Sequence, residues 1–501
     1  MQEKRRGKIK KAPAREIVEY LIRPGIATDL SRSYQTTLDI NRAHVIMLAE
    51  EGIIKKDVAR RILEVTKEIA AMRDNPDFEI SPDVEDLYFN LERYLIQRTG
   101  IEIGGQQHTA RSRNDLFATI LRMDSRRYYL FLCELLIDLR RAFLALAKDN
   151  LDTVMAGYTH LQPSEPITFA HYCSAVLNAM ERDFTRIGNA YAALNICPLG
   201  GCSMASTTFP INRQTTADLL GFDAFMSNSI DCVASRDYVM EVVGAFALAA
   251  NTFSRIAQDM YVWATPEFNY IEVDDSVAVC SSIMPQKKNP ITLEHLKGKA
   301  AHLEGFWVSA FSALKNIAFT HSRDASAEAP RFYWAALQEM EADIRLLAVT
   351  VKTLKVNKEH MIDVARENYC TVTELANYLV RYDGFSFRAA HEIVAMVVDY
   401  MMTNNKKASE IGKTELSAIC REMFGRDTTL TDGQIASALD PILNARSKKA
   451  HGGTSPDEVA FQLEKIERAI DADARLLAER QAKVAKAVEA LDARTEAILN
   501  S

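Results

Sequence analysis

Apolar positions in this chain fall mostly three and four residues apart. Leu87, Leu91 and Leu95 recur every fourth residue and put one apolar stripe on a helix within the first hundred residues. Ser81-Pro82-Asp83 precedes the stripe and reads as its start: a capping hydroxyl, a proline in the first turn and an early acid. Further on, Leu337, Met340, Ile344, Leu347, Val351 and Leu354 alternate spacings of three and four, the seam of a helical bundle. Residues 235–264 are apolar on more than one side, through Val239, Val242, Val243, Phe246, Ala247 and Leu248. Such a helix belongs in a large core or at a subunit interface, and the pattern leaves both open. In the last third the helices shorten, near 371–404 and 409–425. Gly452-Gly453-Thr454 reads as a tight loop, and Ser455-Pro456-Asp457-Glu458 as a capping box with proline at the first helical position. Leu463, Ile466, Ile470 and Leu477 stripe the closing helix; beyond about 480 the stripe gives way to Ala and charge, which predicts a solvated end. Strand-type alternation is sparse. The pattern predicts an all-α protein with helical domains over residues 1–112, 113–365 and 366–501.

Composition agrees. Twenty Gly and fourteen Pro are few for 501 residues, and Ala, Leu, Glu and Arg are abundant, as in helical folds. A formal net charge of −7 argues against nucleic acid as the main partner. The basic start, Lys4-Arg5-Arg6 through Lys10-Lys11, is short and reads as a solvated tail; no apolar segment follows it, so it is not a secretory signal. No apolar run approaches the roughly 18–20 residues that span a bilayer. Eight cysteines are scattered with no CxxC pair, which suits buried, reduced thiols in the cytoplasm and gives no support for zinc. The sequence has no glycine-rich phosphate loop, GxGxxG or HExxH, so neither a cofactor nor a metal is expected.

Four segments concentrate polar side chains beyond what a core asks for. In Gln107–Asp115, Ser112, Arg113 and Asn114 combine a hydroxyl, a guanidinium and an amide that can grip a carboxylate, although a solvated turn before a helix explains them equally well. In Gly157–Pro163, Thr159 is a hydroxyl donor beside His160, and histidine is the residue type that carries protons near neutral pH; a structural histidine is the commoner case. Gly200 and Gly201 allow either a ligand contact or a tight helix crossing, packing being the safer reading. The fourth segment, Ser281-Ser282-Ile283-Met284-Pro285-Gln286-Lys287-Lys288-Asn289-Pro290, carries two hydroxyls, two ammonium groups and an amide between prolines, which suits a carboxylate-rich anion. A helix beginning after Pro290, with Glu294 in its first turn, points free N–H groups at that anion.

Together these segments resemble the argininosuccinate lyase branch of the fumarase/aspartase superfamily. The resemblance runs in order from about residue 38 to 470, through HTARSRND, GYTHLQPSEPITFAH, PLGGCSMASTTFPINR, NSIDCVASRDYV, the decamer, ELANYLVR, FRAAHEIV and HGGTSPDEV. It implies three helical domains whose long central bundle tetramerises into a twenty-helix core, with each active site shared by three subunits. The implied reaction is β-elimination of fumarate from an N-substituted aspartate, without metal or organic cofactor. Ser281 matches the base, and Lys287 and Asn289 match residues that hold the substrate carboxylate. Ser112, Arg113, Asn114 and Thr159 match residues around the succinyl group, and Ser282 and Met284 belong to the same substrate-facing loop. His160 matches the superfamily histidine, which either protonates the leaving amine or orients and relays charge, paired with the acid matched by Glu294.

The chain also departs from the family. Cys280 stands where glycine usually precedes the two serines, Ala110 replaces a glycine, and the family's N-terminal LWGGRF is missing. Within Ile317–Pro330, the Tyr, Gln and Lys that handle arginine in argininosuccinate lyases have no clear counterpart; His321 and Arg323 stand there instead. The fumarate half is kept and the amine half changed, in the manner of ethylenediamine-disuccinate lyase. The expected substrate is therefore an aminopolycarboxylate. The alternatives are argininosuccinate itself, or a crystallin-like structural role, against which the intact Ser281, Lys287, Asn289, His160 and Glu294 weigh.

Overall fold

The computed structural model describes residues 11–73 and 75–501; the basic stretch from Lys4 to Lys10 lies outside them. The fold is all-α, and sheet among the described residues is confined to two-stranded pairs. Numbering only the elements used below, α1 (Tyr34–Glu50), α2 (Lys56–Ala71) and α3 (Leu87–Thr99) open the chain. Five long helices follow: α4 (Arg113–Lys148), α5 (Phe169–Leu194), α6 (Asp237–Trp263), α7 (Ile291–Leu314) and α8 (Tyr333–Lys352). Between α4 and α5 lies a hairpin of β1 (Val154–Thr159) and β2 (Gln162–Thr168); before α7 lies a short pair, β3 (Val279–Cys280) and β4 (Lys288–Asn289). Then come α9 (Val372–Asp383), α10 (Phe387–Thr403), α11 (Lys413–Phe424), α12 (Asp432–Leu439) and the closing α13 (Pro456–Leu499).

The largest core joins the five long helices and α13. The α8 seam of Leu337, Met340, Ile344, Leu347 and Val351 is buried there, with Val242, Phe246 and Phe253 of α6 and Leu463, Ile466 and Ile470 of α13. Each such side chain contributes about 1.5–3 kcal/mol on burial. Leu354 falls past the end of α8 and packs only partly. The single described helix long and apolar enough to cross a membrane is α6, and it packs inside this bundle. A second core gathers α1–α3 with Leu116 and Ile120 of α4, Leu219 and Phe222, and Leu491. A third joins α9 to α12 through Leu379, Ile393, Leu416 and Ile435.

Three local expectations are corrected. Ser81 caps only a single turn, Pro82–Val84; Glu85 then takes a positive φ of 78° that stops the helix, and Asp86 caps α3 by accepting the Phe89 N–H at 2.9 Å. Ser455 caps α13 through the Glu458 N–H, but Glu458 reaches to the Gly452 N–H at 2.8 Å instead of closing the box. The end of α13 is exposed along most of its surface but is docked on one side. Ala487, Leu491 and Thr495, four apart, are buried against the second core, and Arg42–Asp492, Lys67–Glu496 and Arg494–Glu50 pair across that contact. Small residues are what the site needs there: Ala487 Cβ lies 3.2 Å from where a side chain on Gly221 would begin.

Candidate active site

The decamer forms a loop closed by the antiparallel β3–β4 pair, in which Cys280 faces Lys288. Ser281 is its hub. Its N–H donates to the Lys287 carbonyl at 3.1 Å, and its Oγ accepts the N–H groups of Met284 at 3.0 Å and Ile283 at 3.3 Å. Two backbone donors on one hydroxyl oxygen favour its deprotonated form. Lys288 is tied down by Asp275 at 2.6 Å and Glu272 at 2.9 Å, whereas Lys287 is exposed and makes no ion pair among the described residues. Ser282 and Met284 are exposed; Asn289 is half-buried. As expected, α7 begins just after Pro290 and no side chain caps it; the Leu293 N–H turns back to the Pro290 carbonyl at 3.0 Å, which leaves the N–H groups of Ile291 and Thr292 for an anion. Glu294 sits in that turn, exposed. Cys280 lies in the short strand β3 and is not among the positive-φ residues, so the missing glycine leaves no backbone strain.

The β1–β2 hairpin carries Thr159 and His160. Thr159 pairs with Gln162, and the two-residue turn between them is His160-Leu161, both left-handed at φ 55° and 56°. Such turns ordinarily use Asn-Gly; two side-chain-bearing residues there cost on the order of 1 kcal/mol each or more. Nothing in the sequence signals this hairpin. The turn holds the Thr159 and His160 side chains out into solvent.

At the start of α4, Ser112 is the cap. Its Oγ accepts the Asn114 N–H at 3.3 Å, which leaves the hydroxyl proton free to donate outward. Asn114 Nδ2 donates to the Ser203 carbonyl at 3.0 Å. Arg113 pairs through Nη1 with Asp86 at 2.7 Å and Glu85 at 3.0 Å, over the Phe89 ring. Ala110 takes the left-handed φ of 58° that a glycine would fill more comfortably.

The altered segment gathers charge. Burial, then the positive charges of Arg236, Arg323 and Arg113, push His321 down to about 4, and its Nδ1 is buried without a partner among the described residues. Arg236, 2% exposed, donates to the Ser235 carbonyl at 2.6 Å; its Nε has no partner and no carboxylate pairs with it among the described residues. Asp29 is pushed up to about 7, first by burial and then by Asp86. Sequence reasoning missed Arg236 and Asp29. Arg236 lies inside NSIDCVASRDYV, and an arginine beside a mostly apolar helix was the available signal.

Within one chain the structure assembles three groups: the decamer with Glu294, the Thr159–His160 turn, and Ser112–Asn114. Among the described residues no hydrogen bond or ion pair joins one group to another, and His160 does not meet Glu294.

A family profile described as lyase matches residues 31–305, and one described as argininosuccinate lyase C-terminal matches residues 369–442. The chain is 47% identical over 467 residues to argininosuccinate lyase 1 of Shouchella clausii, covering 93% of this chain and 94% of that one. It is 35% identical to the argininosuccinate lyase of Methanocaldococcus jannaschii, over 97% and 98% of the two chains. The crystal structure of EDDS (ethylenediamine-disuccinate) lyase in complex with formate matches it with a TM-score of 0.87 at 32% identity, over 98% of this chain and 97% of that one. The chain therefore belongs to the argininosuccinate lyase family of the fumarase/aspartase superfamily and is a carbon–nitrogen lyase that releases fumarate.

Proposed function

We propose that the substrate is an N-substituted aspartate whose amine half carries further carboxylates, such as ethylenediamine-N,N′-disuccinate, giving fumarate and N-(2-aminoethyl)aspartate. The proton lost sits on the carbon next to an ionised carboxylate, so its removal creates an aci-carboxylate with added negative charge. Fixed donors shielded from water are the main means of stabilising such charge. Ser281 takes the proton as alkoxide. Lys287, Asn289 and the open first turn of α7 hold the aci-carboxylate, with Ser282 and Met284 beside it. Ser112, Arg113, Asn114 and Thr159 hold the succinyl group, and His160, supported by Glu294, serves the leaving amine. The observation that carries this reading is the Ser281 hydroxyl, held by two backbone N–H groups in the loop that leads into an uncapped 24-residue helix.

The proposed active unit is a cytoplasmic homotetramer with shared sites. Its support is exposure: Thr159, His160, Lys287 and Glu294 all face solvent in the single chain, where charge stabilisation is weak. Leu248, Trp307, Val308 and Phe311 of α6 and α7 give the bundle an exposed apolar face for other copies. The choice of amine is supported by Arg236, Arg323 and His321, a cationic setting for an additional carboxylate. A second reading, argininosuccinate as substrate, is favoured by the names of the relatives at 47% and 35% identity. Incubating the enzyme with fumarate and a panel of amines, including arginine, ethylenediamine and N-(2-aminoethyl)aspartate, decides between them. Adducts of carboxylate-bearing amines other than arginine are expected; exclusive use of arginine refutes the first reading. No fumarate consumed with any amine removes both.

A further inference from the structure

One carboxylate ties the start of α4 to a loop distant in sequence. Asp115 is fully buried and accepts three backbone N–H groups: Ser112 at 3.0 Å through Oδ1, and Gly200 and Cys202 at 2.9 Å each through Oδ2. The first belongs to the helix cap and the other two to the loop around residues 198–206. That loop is firmly seated from its other side. Arg213 donates to the Leu199 carbonyl at 2.9 Å and the Met226 carbonyl at 2.7 Å, and Ser206 Oγ donates to the Gly200 carbonyl at 3.1 Å. Gly200 sits at φ 92°, and a Cβ on Gly201 would lie 2.5 Å from Cys232 Cβ, so packing explains the glycine pair. Two further bonds cross the same junction: Cys202 Sγ to the Ala110 carbonyl, and Asn114 Nδ2 to the Ser203 carbonyl.

We propose that Asp115 is a positioning residue for substrate binding: its carboxylate locks the cap of α4 to the seated loop and thereby aims the Ser112 hydroxyl and the Asn114 amide. This rests on the reading of Ser112 and Asn114 as substrate-binding residues. A carboxylate is the one side-chain group that presents only acceptors, on two oxygens, to three converging N–H groups. An asparagine there must turn its own NH₂ toward at least one of them. The mismatch loosens the junction without adding volume, so the fold survives while the two donors lose their aim. A misplacement of about 1 Å is enough to matter at such a site.

The test uses the full-length enzyme in its native assembly, with ethylenediamine-N,N′-disuccinate and argininosuccinate as substrates. Asp115→Asn is expected to raise KM about 10- to 50-fold, with kcat within about threefold of wild type. Amide hydrogen exchange at Ser112, Gly200 and Cys202 should quicken. In a background carrying both Ser112→Ala and Asn114→Ala the same change should add less than about threefold to KM, because both donors that it aims are gone. A KM within twofold of wild type, a loss confined to kcat, or full additivity with the Ser112→Ala and Asn114→Ala pair overturns the proposal. Should Asp115→Asn fail to fold, the wild type still decides: fumarate is expected to slow exchange at Gly200 and Cys202, and unchanged exchange overturns the clamp. Wild type that turns over neither substrate removes the substrate reading itself, whereas turnover with an unmoved KM removes only the clamp.

Discussion

Asp343 is expected to make this protein less stable as the pH rises, and Asp343→Asn should reverse the effect. The carboxyl lies on the buried face of α8, 0% exposed, and among the described residues neither oxygen has a hydrogen-bond partner. Burial pushes it from 3.8 to about 8; Lys299 opposes this weakly, being already paired with Glu339 at 2.8 Å. Below about pH 4 the group is protonated in both folded and unfolded chains. Between about 4 and 8 the folded chain holds a proton that the unfolded chain gives up, so stability falls with each step in pH, and above about 8 the penalty is complete. At pH 7 the interval of 3.2 pH units above 3.8 amounts to about 4 kcal/mol as an upper bound. Asparagine keeps shape and polarity but cannot ionise. Urea midpoints at fixed protein concentration should place Asp343→Asn above wild type by at least about 1 kcal/mol at pH 8, with the gap closing toward pH 5. Other titrating groups cancel in the difference. A variant no more stable than wild type at pH 8, or a gap that ignores pH, refutes the reasoning.

Three further outcomes follow from the site and the bundle. Ser281→Ala should lower kcat by about 1000-fold or more while circular dichroism and assembly stay unchanged; near-wild-type turnover would remove Ser281 from the base role. Cys280 is the only exposed thiol among eight free cysteines, so a maleimide should label the native chain once and, one residue from Ser281, abolish fumarate release; full activity at complete labelling contradicts this. Val308→Asp combined with Phe311→Asp, on the exposed apolar face of α7, should yield smaller species on size-exclusion chromatography with turnover lost; an active monomer would end the shared-site proposal.

The helices and the decamer were legible because their signals are local. The stripe through Leu337, Met340, Ile344 and Leu347 marks its own buried face, and Pro290 marks where α7 begins. What escaped was set by distant contacts or by strain. His160-Leu161 forms a hairpin turn against its own backbone preference, so no propensity could announce it. Ala487 reads as a surface residue until Gly221 is known to lie against it. Arg236 and Asp29 became visible as buried charges only once segments distant in sequence, Arg236 with His321 and Asp29 with Asp86, were brought together.

The docking of Leu491 into the core built on α1–α3 also bears on how the chain is made. The Arg42–Asp492 pair spans 450 residues. On a ribosome α1–α3 emerge hundreds of residues before Leu491, a side chain of the core they build. That region must wait, partly open, for the rest of the chain. Such high contact order slows folding and leaves apolar surface uncovered meanwhile. Stop codons or fusions near residue 490 should therefore lower the yield of folded protein by opening the core built on α1–α3, even though the loops that carry the chemistry are untouched.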